Sequence, residues 1–191
     1  MDKTYWNNRY LNQDTPWDTG SITTPLSRLI DDLTDKEMTI LIPGAGPAHE
    51  AAYLIQKGFK NVYICDFAEA AIKAVEIAYP NIPTDRLLCE DFFKLDLNVD
   101  LIIEQTFFCA MPRSFRQPYV EKVHELLNTG GLLAGLFFAQ EFEKDGPPFG
   151  GTKAEYLRLF TPYFDVLEMD IAVNSIKPRA GAELFFRMLA L

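Results

Sequence analysis

A short apolar run at residues 38–42 ends in the turn Pro43-Gly44-Ala45-Gly46-Pro47, and helix-forming residues follow from Glu50. No other feature of the chain restricts its fold as much as this strand–turn–helix passage. Gly44 and Gly46 let the backbone reverse tightly and come close to a ligand, which a side chain at either position would hinder. Pro47 suits the first position of a helix, where its missing N–H is not needed. A second apolar run, 61–66, ends on Asp66. That is about 20 residues past the turn, the separation at which a strand-end carboxylate reaches both hydroxyls of a ribose. Gly turns of this kind are common and a lone GxG is a weak sign. With Asp66 in register, the pair reads as a site for a nucleoside-bearing cofactor.

The rest of the chain repeats the alternation. Helical patterns cover 50–57, closed by Gly58, and 68–79, closed by Pro80. Two more cover 112–128, ending at Gly130-Gly131, and 153–160, stopped by Pro162. Strand patterns cover 86–90, 100–108, 132–139, 164–172 and 183–189, the run from Asp100 beginning as continuously apolar as a strand buried on both faces requires. This order predicts an α/β fold, a seven-stranded and mostly parallel sheet with helices on both faces and right-handed crossovers. The link between the last two strands is too short for a helical crossover, so they are expected to form an antiparallel edge pair. Ligands of such sheets lie beyond the carboxyl ends of the strands, which gathers Gly44, Asp66, Asp91 and residues 104–108 around one crevice. The segment 140–151, with Pro147-Pro148 and Gly150-Gly151, reads as an ordered surface loop.

A chain of 191 residues fits one domain, here 1–191, with a sheet core at 38–191 and an N-terminal cover at 1–37. Both tryptophans, Trp6 and Trp17, fall in that cover. Large aromatics in a polar segment need either core or ligand to cover. Trp6 reads equally well as a helix residue packed on the sheet, whereas Trp17, on the turn Thr15-Pro16-Trp17-Asp18-Thr19-Gly20, is placed to close over a bound cation. A net charge of −9 argues against a nucleic-acid partner. No apolar run is long enough to span a bilayer, and no basic-then-apolar leader is expected at the N-terminus. Cys65, Cys89 and Cys109 are odd in number and lie in apolar, strand-like settings, which favours buried reduced thiols and a cytoplasmic protein. With His49 and His124 alone and no paired cysteines, no metal site is expected.

The segments TPWDTG, IPGAGPAHE, the DF at the second strand's end, FFCAM and GPPF follow one another in a recognisable order. In this the chain resembles the thiopurine S-methyltransferase family and the related halide and thiol methyltransferases, from about Trp6 to the C-terminus. Proline at position 43, where most methyltransferases of this fold carry an acidic residue, is usual in that family. The resemblance implies S-adenosyl-L-methionine as cofactor, S-adenosyl-L-homocysteine as product, and a small-molecule methyl acceptor. It assigns the turn of Gly44 and Gly46 to the methionine end, Asp66 to the ribose and Phe67 to the adenine. Asp91 and Phe92 would contact the adenine amino group and ring, and Glu104 the methionine amino group. Trp6 and Trp17 would belong to the cover that shuts out water. Arg116 and Phe149 would be substrate contacts, with Pro147-Pro148-Phe149 on a loop bordering the acceptor pocket.

The residues also limit the chemistry. A nicotinamide dehydrogenase shares the Gly turn and ribose Asp, but needs an acid–base group such as a Tyr-x-x-x-Lys pair, and none is present. The fourth strand ends in Gln105-Thr106-Phe107-Phe108 and not in the Asn/Asp-Pro-Pro-Tyr of nitrogen methyltransferases. Cys109 precedes Ala110 and so lacks the Pro-Cys of cytosine-carbon methyltransferases; it reads as a small buried hydrophobe. A small aromatic pocket for a soft acceptor such as sulfur, selenium or a halide remains, and the resemblance implies a thiol, thiopurine, halide, or selenium or tellurium compound. No proton-abstracting residue is assigned, Asp18 and Tyr119 being the nearest candidates. A cofactor-binding sensor without transfer activity is the alternative, a dehydrogenase a more distant one. Nothing in the sequence demands more than a monomer.

Overall fold

The structure, a computed structural model, describes residues 1–143 and 146–191. Its elements are α1 (Lys3–Leu11), α2 (Thr24–Asp31), β1 (Thr39–Pro43), α3 (His49–Gln56), β2 (Asn61–Cys65), α4 (Glu69–Ala78) and β3 (Leu87–Leu88). There follow β4 (Val99–Gln105), α5 (Arg116–Leu126), β5 (Leu127–Phe138), α6 (Lys153–Phe160), β6 (Phe164–Ile171) and β7 (Glu183–Ala190). The strands form one seven-stranded sheet in the order β3-β2-β1-β4-β5-β7-β6. The first five run parallel, and β7 is antiparallel to both β5 and β6. This is the edge pair expected from the short link, except that the last strand inserts between β5 and β6.

The apolar alternation of the central strands explains the two layers of core. In β1, Ile40 and Ile42 join Leu26, Ile30 and Leu54 of the helices on one face, while Leu41 joins the cluster on the other. In β4, Leu101 and Ile103 follow Ile40, and Ile102 follows Leu41 to meet Tyr119, Val123 and Phe160. Successive side chains point to opposite faces, so a strand covered by helices on both sides must be apolar throughout. Each such residue, when fully buried, contributes about 1.5–3 kcal/mol.

Several boundaries differ from the sequence reading. Pro47 does not open α3; the turn runs on through Ala48, which holds a left-handed φ of 57°, and the helix begins at His49. The expected helix 112–128 is a 3₁₀ turn at Arg113–Phe115 followed by α5, which ends at Leu126 and passes straight into β5. Gly130, at φ 76°, therefore lies inside a bulge of β5, between the Val99–Leu127 and Leu101–Leu132 pairs, and not at a helix end. The third strand shrinks to two residues, and the fourth stops at Gln105 because Thr106 takes a φ of 63°. Cys65 and Cys109 are buried as expected, but Cys89 is exposed, since it falls just beyond the shortened β3.

Candidate active site

The carboxyl ends of β1 to β5 open on a cavity of about 610 Å³. It lies where the sheet reverses its winding, since β2 and β3 extend to one side of β1 and β4 and β5 to the other. The wall from β2 and β3 carries Asp66, Phe67, Glu90, Asp91 and Phe92. The opposite wall carries Thr106, Phe107, Met111, Phe138 and, from the β6–β7 link, Arg179. Residues of the N-terminal segment, among them Trp6, Arg9, Tyr10 and Trp17, complete the lining.

The cover is fastened to the sheet at several points. The Lys3 ammonium meets Glu69 at 2.7 Å, and Asn7 Oδ1 accepts from the Ala70 N–H at the start of α4. Further on, Asp18 pairs with His49 Nε2 at 2.8 Å and its Oδ1 accepts from the Gly20 N–H at 2.8 Å. The Arg179 guanidinium donates to the Trp17 carbonyl at 2.8 Å. Trp17 packs edge-on against Trp6 and Tyr10, with ring centroids 5.4 and 5.8 Å away, and the Arg9 guanidinium stands 5.0 Å from its ring. Trp6 thus lines the cavity beside Trp17 and is absent from both buried clusters of the sheet core.

At the Gly turn the backbone is bare by necessity. Gly44 and Gly46 hold φ of +58° and +51°; a Cβ at Gly44 would lie 2.1 Å from Phe107 Cδ2, and one at Gly46 3.0 Å from Tyr10 Oη. Asp66 is 7% exposed. Its Oδ2 accepts from the Gly46 N–H at 3.3 Å and its Oδ1 from the Ala68 N–H at 2.9 Å, tying the turn to the end of β2. Burial pushes the Asp66 carboxyl up to about 6 against the pull of those two amides. A carboxylate has about four acceptor positions, so two remain for donors in the cavity. A ribose with two free hydroxyls fits that need. Asp91 Oδ1 accepts from the Phe93 N–H at 3.1 Å, fixing the turn that presents Phe92 to the cavity.

Three expected site residues are elsewhere. Glu104 is fully buried and turned away from the cavity, because period-2 alternation puts it on the face of Ile102, beneath α5. Its Oε1 accepts from the Phe107 and Phe108 amides, both at 2.9 Å, and its Oε2 from the Tyr119 hydroxyl at 3.0 Å. The same contact commits Tyr119, so it is no free base. Arg116 is 4% exposed and lies behind the wall, and Phe149 also stays out of the lining, although its neighbours Pro147 and Pro148 reach it. Gly46 faces a smaller adjoining cavity, with Asp18, Glu50 and Gln105 around it. Turned so that both contacts are satisfied, the Gln105 amide donates to Glu50 Oε1 at 2.9 Å and accepts from Arg179 at 3.0 Å. Burial raises the Glu50 carboxyl above the usual range.

Sequence reasoning did not single out Tyr10 or Arg179, and it brought Phe107 to the crevice only as one of residues 104–108. The positive φ of Thr106, which aims Phe107 at Gly44, leaves no mark in the composition of that stretch. Arg179 lay in a link read only as polar.

A parallel sheet closed by an antiparallel last strand, with a Gly turn and a strand-end carboxylate at its reversal point, defines an S-adenosylmethionine-dependent methyltransferase. The 1,6-didemethyltoxoflavin-N1-methyltransferase of Burkholderia thailandensis, solved with S-adenosylhomocysteine, has this fold; the TM-score is 0.78 at 17% identity over 98% of this chain and 86% of that one. Within that class the chain belongs to the thiopurine S-methyltransferase family, whose model matches residues 1–185. A probable thiol methyltransferase 2 of Arabidopsis thaliana is 26% identical over 184 residues, 93% of this chain and 81% of the relative. A thiocyanate methyltransferase 1 of Brassica oleracea is 27% identical over 184 residues, with the same coverage of 93% and 81%. Among the described residues no helix is long and apolar enough to cross a membrane, and no cluster of metal-binding side chains occurs.

Proposed function

We propose that this methyltransferase acts on a small soft nucleophile, a thiol or a soft anion, at the wall formed by β4, β5 and the β6–β7 link. One observation carries the reading. Among the described residues that line this wall there is no carboxylate or imidazole, and the charge present is the Arg179 guanidinium. The acidic groups, Asp66, Glu90 and Asp91, stand on the opposite side. A hydroxyl or amine acceptor needs a group to take its proton, whereas a thiolate, thiocyanate or halide does not. The Cys109 thiol is no substitute, because burial raises its pKa far above the usual range.

S-adenosylmethionine, when bound, supplies a methyl group on a cationic sulfur, open to in-line displacement. The chain's part is to orient and to keep water out. Asp66 holds the ribose, Phe67 and the Asp91–Phe92 turn hold the adenine, and Gly44, which lines the cavity beneath Phe107, borders the methionine end. Phe107, Met111 and Phe138 give the acceptor an apolar seat, and Arg179 draws an anion to it. Orientation of this kind contributes roughly 7–11 kcal/mol. The reading is tested by a methyl-transfer screen over thiols, thiopurines, thiocyanate, iodide and selenium compounds, with product identified by mass. Turnover confined to hydroxyl or amine acceptors would overturn it, and cofactor binding with no product on any acceptor would favour the sensor alternative.

Trp17→Ala removes the ring that Arg9, Trp6 and Tyr10 pack around at the cavity rim. The dissociation rate of S-adenosylmethionine is expected to rise roughly tenfold, the equivalent of about 1.4 kcal/mol, with little change in melting temperature. Stopped-flow displacement measures it; an insoluble variant would instead mark Trp17 as a core residue.

A further inference from the structure

The geometry points to Arg116 as a positioning residue that sets the acceptor wall through the 146–150 loop, without touching the acceptor; this rests on the functional reading above. The 3₁₀ turn Arg113–Phe115 and the first residue of α5 place Arg113 beside Glu141 and Arg116 beside Phe149 and Gly150. Arg113 pairs with Glu141. Arg116 Nη2 donates to the Gly150 carbonyl at 2.6 Å and lies 3.5 Å from that of Phe149. Its Nη1 pairs with Glu155 of α6, which Arg113 also approaches at 3.8 Å. Between these anchors Pro147 and Pro148 reach the cavity.

Residues 149–151 are also pinned through their backbone. The Phe149 N–H donates to the Cys109 carbonyl at 2.7 Å and the Gly151 N–H to Gln140 at 3.0 Å. A Cβ at Gly150 would lie 1.8 Å from the Gln140 oxygen, so the chain closes on itself there. The buried guanidinium centre is 5.2 Å from the Phe108 ring and 5.6 Å from that of Tyr156, two rings that meet edge-on beside it. Its buried Nε finds no partner among the described residues. A cation kept at that cost contributes something a carboxylate partner alone does not require: a planar fork that binds a backbone carbonyl and a carboxylate at once. Lysine can bond one of each, as Lys122 does with the Leu95 carbonyl and Glu125. Its single nitrogen lacks the fixed span of the fork, which reaches Gly150 on one side and Glu155 on the other.

Arg116→Lys keeps the charge and removes the fork. Amide exchange followed by NMR is expected to quicken roughly tenfold at Phe149 and Gly151, with Ile102 and Val123 unchanged. In turnover, KM for bulky acceptors should shift roughly tenfold while kcat, the smallest acceptors and the dissociation constant for S-adenosylmethionine stay within about twofold. Pro148→Ala, which alters the wall directly, should reproduce the same dependence on acceptor size. Unchanged exchange at both amides would overturn the assignment. So would losses in Arg116→Gln that follow acceptor charge and not size, since those mark direct contact. A joint fall in cofactor affinity and melting temperature would overturn it too. Should the wild type methylate nothing, the functional reading fails, and amide exchange still decides the role of Arg116.

Discussion

Asp66→Ala is expected to raise the dissociation constant for S-adenosylmethionine a hundredfold or more. A ribose places two hydroxyls on this carboxylate, and a hydrogen bond to a charged acceptor contributes about 1.5–3 kcal/mol, so losing both costs about 3 kcal/mol at the least. The fold should survive. The variant orphans the Gly46 and Ala68 amides but also relieves a carboxylate that is 7% exposed. Asp66→Asn, which keeps one acceptor oxygen, should fall between the two. A pH signature goes with this. Ribose hydroxyls favour the ionised carboxylate, which in the free protein titrates at about 6. Affinity should therefore be constant above pH 7 and fall as pH drops through 6, approaching tenfold per unit well below it, and in Asp66→Asn the dependence should vanish. Calorimetry at pH 5.5, 6.5 and 7.5 measures both. Equal affinity in Asp66→Ala and wild type would remove the ribose assignment.

What made Asp66 legible was that its position is a property of the backbone: a strand end, a fixed distance past a Gly turn. The same holds for the sheet, whose central strands need apolar side chains on both faces and so announce themselves. The facing of Glu104 is less legible, for a related reason. Its place at the end of β4 was right, but facing is decided by parity within the strand, and parity sets it with Ile102 under Tyr119. A register fixed at Ile102 would have predicted that. Arg116 is hidden in another way, since nothing local states that a helix-start arginine turns inward; its partners are Glu155 and a loop carbonyl more than thirty residues on. Lining residues such as Phe107 and Arg179 depend on one positive φ and one irregular link, neither of which has a periodic signal.

The buried Glu104 carboxyl should make the protein less stable at pH 8 than at pH 5.5. Burial pushes its pKa up to about 7 from 4.5, against the Phe108 amide, the Tyr119 hydroxyl and the Phe107 amide, which favour the anion; the nearby Glu50 adds to the rise. The unfolded chain titrates near 4.5, so between 4.5 and 7 the native state holds a proton that the unfolded state has lost. Stability is then fully present below 4.5 and declines as pH rises through 7, by on the order of 3 kcal/mol, after which it is flat. Asp66 adds a change of the same sign at lower pH, so the share of Glu104 must be read from a variant. Glu104→Gln keeps an oxygen for the Phe107 and Phe108 amides and cannot ionise. Its melting temperature at pH 8 should equal or exceed that of the wild type, and its slope between pH 6.5 and 8 should nearly disappear. Glu104→Ala leaves two amides and the Tyr119 hydroxyl without partners and opens a void, which costs about 3 kcal/mol or more at every pH. It should also lower turnover, because those amides hold the turn that presses Phe107 over Gly44. Thermal melts across pH 5.5–8 decide the matter: a wild-type midpoint that climbs with pH, or a Gln variant that keeps the full slope, would mean that this carboxyl is not the group being titrated.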